Sequence, residues 1–509
     1  MNKKSIFCLG IICLISLTFL VPYGLSVVTY EFDTDGIAIH TGPSFGYRCD
    51  ICSDGAGGAI LAYGVRDSGD NDNIYAQRID SDGNMLWGSN GALICNATGL
   101  QNFQKLVCDG AGGAIITWID QRNPSAYGVY AQKINATGDV QWIIDGVPIT
   151  ISGTSSSFYP EICSDGAGGA IISWEDMGST FDIYAQRINS TGDVQWTANG
   201  EPISVTTGSE MSQKICSDGM GGAIITWQDS RSGIFDIYTQ MINSTGSVHY
   251  PTNGIAVCTA LEEQWRPEIC SDGLGGAIII WEDDRTDTDG DIYGQRINTV
   301  SVEHWGPNGT AICTALDEQS RYSICSNGTF EVFITWEDRR NGALDIYAQK
   351  LNFFGIGQWE LNGTFITSYN DDNPLIGTSS PQIISDSAGD AIIVWGDNKT
   401  RIGYNLDIYA QKVNSTGDMQ WTTGGIPICN TTGTQRHPRI CSDGSKGAFI
   451  AWDDYRSGYN LYAQLVKDGP AVPPPPNGQI PLGNYYLLFF TLGIISLIVL
   501  KKRKFIKHS

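Results

Sequence analysis

Between residues 28 and 468 the apolar and polar positions follow strand rhythms, and a long apolar run flanks this region on each side. One stretch shows the pattern well. Pro160-Glu-Ile-Cys163 reads as a short strand, a. Gly169-Ala-Ile-Ile-Ser-Trp174 is apolar almost throughout and reads as strand b, buried on both faces. Asp182-Ile-Tyr-Ala-Gln-Arg-Ile188 is rich in strand-forming Ile and Tyr and reads as strand c. Asn189-Ser-Thr-Gly then turns the chain into Asp193-Val-Gln-Trp196, strand d. Between a and b, Ser-Asp-Gly and Gly-Gly supply the positive φ angles of a tight hairpin. No stretch between the terminal runs sustains a helical apolar period.

The pattern repeats. The phrase from Ile162 to Trp174 returns at Ile215–Trp227, Ile269–Trp281 and, more altered, Ile324–Trp336. Its closing aromatic occurs eight times, as Tyr63, Trp118, Trp174, Trp227, Trp281, Trp336, Trp395 and Trp452, spaced 53 to 59 residues apart. Repeats of that length made of short strands imply a propeller or a related array. A second aromatic stands four residues before a glycine in each unit, as in Trp196 and Gly200. Its first copy, Phe32 and Gly36, precedes the first strand a, whereas the last unit stops after strand c at Tyr462–Val466. The orphan d therefore completes the last a-b-c, which predicts an all-β, eight-bladed β-propeller closed by its N-terminal strand. Closure also removes two exposed sheet edges. An open solenoid is the competing architecture, and the permuted ends speak against it.

The phrases Ser-Asp-Gly-x-Gly-Gly-Ala-Ile-Ile-x-Trp and Asp-Ile-Tyr-Ala-Gln-Arg-Ile resemble the repeats of β-propeller surface proteins of archaea and bacteria. The resemblance covers Val28 to Asp468. It implies the fold and an extracellular setting, and no activity.

The flanks agree with that setting. Lys3 and Lys4 precede an apolar run from Ile6 to Leu20, and small or polar residues follow, so residues 1–27 read as a signal peptide. An uncleaved anchor helix is the alternative. Residues 469–479 are a Pro-rich stalk, and 480–500 form a run that spans a bilayer as a helix of about 30 Å. A buried core helix would be the other reading, but the basic tail 501–509 begins directly after it and belongs in the cytoplasm by the positive-inside rule. The expected topology is a single-pass protein of the cell membrane with its large domain outside.

Charge narrows the partners. The chain carries 54 acidic and 31 basic residues, a net −23, so it repels phosphate backbones and nucleic acid is not expected. Ten Asn-x-Ser/Thr sequons suit a secreted chain, although Asn-Ser-Thr-Gly is also ordinary turn chemistry. Four of them, Asn135, Asn189, Asn243 and Asn414, occupy the c-d turn and are the expected glycosylation sites.

Of fourteen cysteines, most follow the repeat. Separations of 13, 12, 12 and 12 residues suggest Cys95–Cys108, Cys258–Cys270, Cys313–Cys325 and Cys429–Cys441 disulfides, stapling successive blades. Buried free thiols are the alternative, since Cys163 and Cys216 have no such partner. Cys49 and Cys52 form a lone Cys-x-x-Cys, which supports neither a redox nor a metal site.

Metal and catalytic motifs are thin. Asp287–Asp291 and Asp80–Gly83 resemble calcium loops, but neither has the distal Glu of an EF-hand and turn chemistry accounts for both. No metal site and no cofactor is expected, calcium being the one ion these loops would suit. His40, His249, His304 and His437 are scattered, and no catalytic triad stands out.

In an up-and-down blade the b-c and d-a loops share one face, and the stalk leaves from the other. The outward face then carries Trp265, Arg266, Arg321, Tyr322, Arg436 and His437, the aromatic and basic types that binding surfaces use. Two functions remain. One is a binding or adhesion propeller recognising a glycan or protein partner. The other is an extracellular glycosidase or lyase with carboxylates around the central pocket. Only repeated carboxylates are present, which favours binding and leaves enzymatic activity an open question.

Overall fold

A computed structural model describes residues 28–41, 46–67, 71–150, 155–286, 289–300, 304–328, 330–368, 380–398 and 405–468. The segments expected to be signal peptide (1–27), stalk (469–479), membrane span (480–500) and cytoplasmic tail (501–509) lie outside them. Val28–Asp468 form one compact unit. Eight antiparallel sheets follow in chain order, seven of four strands and one of five, and together they make the eight-bladed propeller. In blade 5 the strands are Gln264–Ser271, Ala277–Asp283, Asp291–Ile297 and Thr310–Cys313, here a to d. No helix occurs among the described residues.

The eighth sheet closes the ring. Its inner three strands are Gln435–Ser442, Ala448–Asp454 and Asn460–Asp468. The N-terminal segment supplies the outer edge, Val28–Tyr30 pairing with Val466–Asp468 and Ile37–His40 with Leu461–Ala463. Phe32 sits at the bend between them, where its N–H donates to Gln464 Oε1 at 3.1 Å. The two ends of the propeller domain are thus hydrogen-bonded to each other, as the permuted repeat requires.

Strand d is not where the sequence pattern puts it. In blade 3 the paired strand is Glu201–Ser204, beyond Gly200, while Asp193–Trp196 makes only one bridge, Ile188 to Val194. The cause is Gln186 in strand c. Its side chain accepts from Trp196 N–H (2.9 Å) and donates to the Thr197 carbonyl (2.8 Å), so it takes over the bonds a strand would use. Trp196 is released to lie against Gly246 in the c-d turn of blade 4, its indole N–H donating to the Ser244 carbonyl. Gly200 then re-enters the sheet at φ +82°, and a Cβ there would meet the Trp174 ring at 2.5 Å. The aromatic–glycine pair is therefore a double lock. The aromatic holds the next blade, and the glycine makes room for the Trp of its own blade.

Blade-to-blade packing forms the core. Ile171, Ile183, Ala185, Trp196 and Ile203 of blade 3 pack on Ala223, Ile225, Trp227 and Ile242 of blade 4. The eight closing aromatics of strand b are all fully buried. Truncating one such Trp to Ala costs about 3–5 kcal/mol.

Candidate functional site around the propeller axis

Strand a of each blade starts near the end of strand b, on the face of the b-c loops. Shortly after that start its register shifts, for example between Trp265 and Glu268 in blade 5 and between Phe158 and Glu161 in blade 3. Such bulges re-aim side chains. The bulge residue is left-handed in six blades: Phe103, Tyr159, Ser212, Arg266, Arg321 and His437 have φ between 49° and 55°. These side chains form a rim on the b-c face. Phe103 and Tyr159 meet edge to face at 5.4 Å on one side of it. Arg266, Arg321 and His437 stand on the other side.

Each of these three rim side chains has a buried acid beneath it. Arg266 pairs with Glu282 (3.1 Å), Arg321 with Glu337 (3.7 Å) and His437 Nδ1 with Asp453 (2.9 Å). These acids are the middle residues of the Trp-x-Asp phrases. In blade 3 the corresponding acid, Glu175, has no such rim partner, Lys214 of the axial ring being the cation that acts on it. It accepts the Ser212 N–H at 2.6 Å, and burial pushes its carboxyl up to about 7 against the pull of the Ser212 and Gln213 amides.

Below the rim, the lining of an axial cavity of about 320 Å³ includes the same strand-a position from every blade: Asp50, Lys105, Glu161, Lys214, Glu268, Ser323, Gln382 and Arg439. Charge alternates along half of this ring. Lys105 pairs with Glu161 (2.9 Å), Glu161 with Lys214 (3.2 Å) and Lys214 with Glu268 (3.1 Å). Burial alone would raise Glu161, but the two lysines overcome it and hold the carboxyl down at about 2. Burial would lower Lys214, yet Glu161 and Glu268 raise it well above its ordinary value. Glu161 and Glu268 are thus committed to cations, while Asp50 accepts the Leu106 backbone N–H. The sequence reading overlooked this ring, although its signal was present in the residue just before each Ile-Cys phrase, as in Glu161, Lys214 and Glu268.

The structure distributes the six expected binding residues unequally. Arg266, Arg321 and His437 are exposed on the rim. Trp265 is half-buried next to Arg266, whose guanidinium lies 5.8 Å from its ring centre. Arg436 is half-buried with its guanidinium 5.7 Å from the Tyr455 ring. Tyr322 is buried, because it follows the bulge and turns into the axial wall, where its hydroxyl donates to the Arg266 carbonyl. Trp265, Arg266, Arg321 and Tyr322 come together across blades 5 and 6, while Arg436 and His437 stand apart in blade 8.

None of the four expected disulfides forms. Cys95 ends strand d beside the start of the next strand a, whereas Cys108 ends that strand, Gln101–Cys108. Seven residue steps of about 3.3 Å separate those levels by roughly 20 Å. The same holds for Cys258 with Cys270, Cys313 with Cys325 and Cys429 with Cys441, all of them free thiols. Cys108 instead bonds Cys52, with their Cα atoms 6.1 Å apart. The register explains the choice. Cys52 pairs with Ile60 and faces blade 2, while Cys108 pairs with Ala114, the position that Ser164 and Ser217 hold in blades 3 and 4. That position faces the preceding blade.

Asn135, Asn189, Asn243 and Asn414 lie in c-d turns on the opposite face, each side-chain carbonyl accepting two backbone N–H groups of its own turn. The Asp80 loop is held in the same way, Oδ1 accepting from Asp82 and Asn84. Residues 287 and 288 of the second calcium-like loop lie outside the described residues. Among the described residues no group of three or more His, Cys, Asp or Glu is placed to hold a metal ion.

No family model matches the chain, and no curated protein matches it. Solved structures with a similar course include a polysaccharide lyase, an ulvan lyase, at 10% identity over 79% of this chain and 97% of that one, with a TM-score of 0.44. A puromycin-hydrolysing peptidase of Mycobacterium tuberculosis matches at 10% identity over 85% of this chain and 61% of its own, with a TM-score of 0.42. An α-L-arabinanase of Penicillium chrysogenum matches at 13% identity over 64% and 96%, with a TM-score of 0.33.

Proposed function

We propose that this protein is a cell-surface propeller that recognises an acidic polysaccharide on its b-c face, anchored to the membrane by residues 480–500. The rim carries the reading: an aromatic pair, Phe103 and Tyr159, shares one ring with Arg266, Arg321 and His437. Aromatic faces suit sugar rings. Planar guanidinium groups suit carboxylate or sulfate. The acids paired with them lie below, so at these three positions a ligand meets the rim side chain first, locally against the acidic balance of the whole chain. Arg266 spends one nitrogen on Glu282, and its side chain remains 64% exposed. The test is retention of the full-length protein on a panel of immobilised polysaccharides. Uronate-bearing or sulfated polymers are expected to retain it and neutral glucans to release it. Equal retention by both would overturn the reading.

A second reading rests on His437. Its Nδ1 faces the buried Asp453 carboxylate while the ring is half-exposed, an arrangement that suits a general base. Acting on a uronate held at the rim, it would support eliminative cleavage of the same polymer. The ultraviolet absorbance of an unsaturated uronate product tests this. Its appearance with the native protein and loss in His437→Ala would move the protein from the binding class to the lyases.

A further inference from the structure

Five blades carry the same internal clamp. In blade 5 the Trp281 indole N–H donates to Asp283 Oδ2 at 2.7 Å, and Arg285 grips that carboxylate through Nε (2.8 Å) and Nη2 (2.5 Å). Nη2 also donates to the Asn308 carbonyl at 2.9 Å, and the guanidinium lies 3.9 Å from the Tyr293 ring centre. Cys258 of the preceding blade closes the wall. Arg122, Arg231, Arg340 and Arg456 do the same in blades 2, 4, 6 and 8, each 3.8–3.9 Å from its tyrosine ring centre.

Blade 3 keeps the residues of the receptor and lacks the arginine. Trp174, Asp176, Tyr184 and Asn199 stand at the matching positions, with Thr150 where blade 5 has Cys258 in its wall, and they line a cavity of about 140 Å³. The residue four after the tryptophan is Gly178. Asn199 keeps the left-handed turn that aims the carbonyl in the other blades, φ 68° against 67° for Asn253 and 58° for Asn308. Asp176 Oδ1 accepts the Ser157 hydroxyl at 3.0 Å, and Ser157 replaces the larger glutamine that blade 5 has as Gln264.

We infer that this cavity binds a guanidinium group brought by a ligand. Asp176 takes the fork, the Asn199 carbonyl takes one N–H and Tyr184 stacks on the plane. An ammonium lacks both the fork and the stacking plane. The inference stands apart from the reading of the axial rim, since none of these residues belongs to that rim.

Calorimetric titration of the full-length protein in detergent tests it, with N-ethylguanidinium, N-acetyl-arginine amide and ethylammonium as probes. A guanidinium probe is expected to saturate one site, with ethylammonium at least tenfold weaker. Tight binding of the arginine amide assigns the site to a peptide arginine. Binding of N-ethylguanidinium alone assigns it to a small free guanidinium. Asp176→Asn is expected to weaken binding at least tenfold. Gly178→Arg is expected to abolish it and raise the melting temperature, by restoring the clamp. A Cβ on Gly178 has no neighbour nearer than 3.8 Å, so the backbone there accepts a side chain, and the melting temperature reads whether the variant is folded. Lack of saturation by both guanidinium probes, or unchanged binding in Gly178→Arg, would overturn the inference.

Discussion

Blades 5 and 3 are written in nearly the same repeat phrase, yet the two acids after the closing Trp are paired with arginines in blade 5 and not in blade 3. In blade 5, Asp283 is fully buried and satisfied by Trp281 and Arg285, and Glu282 beneath the rim has Arg266. In blade 3, Asp176 borders a cavity and accepts only the Ser157 hydroxyl, and Glu175 accepts backbone N–H groups with no rim side chain above it. Repetition fixes the backbone, and a few departures from the repeat decide where polar groups are left open to a ligand.

Removing the two aspartates should separate the blades most. Asp283→Ala leaves Arg285 and the Trp281 indole without their acceptor and is expected to cost about 3–5 kcal/mol. Asp176→Ala breaks one hydrogen bond, to Ser157, and is expected to cost about 1 kcal/mol or less. Denaturant midpoints of the two variants check the contrast, and equal losses would break it.

Glu175 gives the next largest effect, and it depends on pH. Its carboxyl is raised by burial, so the folded state holds a proton that the unfolded chain releases above about 4.5. The resulting penalty is absent below pH 4.5, grows as pH rises and is complete above pH 7. Glu175→Gln keeps an acceptor for Ser212, as Gln228 does for Arg266. It is expected to stabilise the protein by about 3 kcal/mol at pH 8 and by almost nothing at pH 4.5. Melting temperatures at the two pH values test the sign. Glu161 works oppositely: its lowered carboxyl stabilises the fold above the unfolded value, and that support fades as pH falls toward 2.

A smaller effect concerns the thiols. Ser217 of blade 4 holds the register of Cys108, and Cys163 of blade 3 holds that of Cys52. Ser217→Cys is therefore expected to bond Cys163 and add about 2 kcal/mol under oxidising conditions. Non-reducing peptide mapping reads the link directly, and recovery of both thiols would show that the blades differ in spacing there.

The sequence made the closure legible because Phe32 and Gly36 are a displaced copy of a pair that recurs in every blade. Strand d was misplaced because Gln186 mimics a strand neighbour with its side chain, which apolar periodicity cannot show. The disulfides were misassigned because Cys95 and Cys108 are close in sequence but lie at opposite ends of strand a. The blade 3 cavity is visible in the sequence only as Gly178 where five other blades have arginine, and it gains meaning once Arg285 is seen filling the equivalent space.

The most direct test of the proposed function is titration of an oligouronate into the full-length protein and two sets of variants. Arg266→Ala with Arg321→Ala is predicted to weaken binding at least tenfold, and Gln at Asn135, Asn189, Asn243 and Asn414 to leave it nearly unchanged. Unchanged affinity in the arginine variant together with loss in the c-d turn variant would contradict the account and move the binding surface to the opposite face.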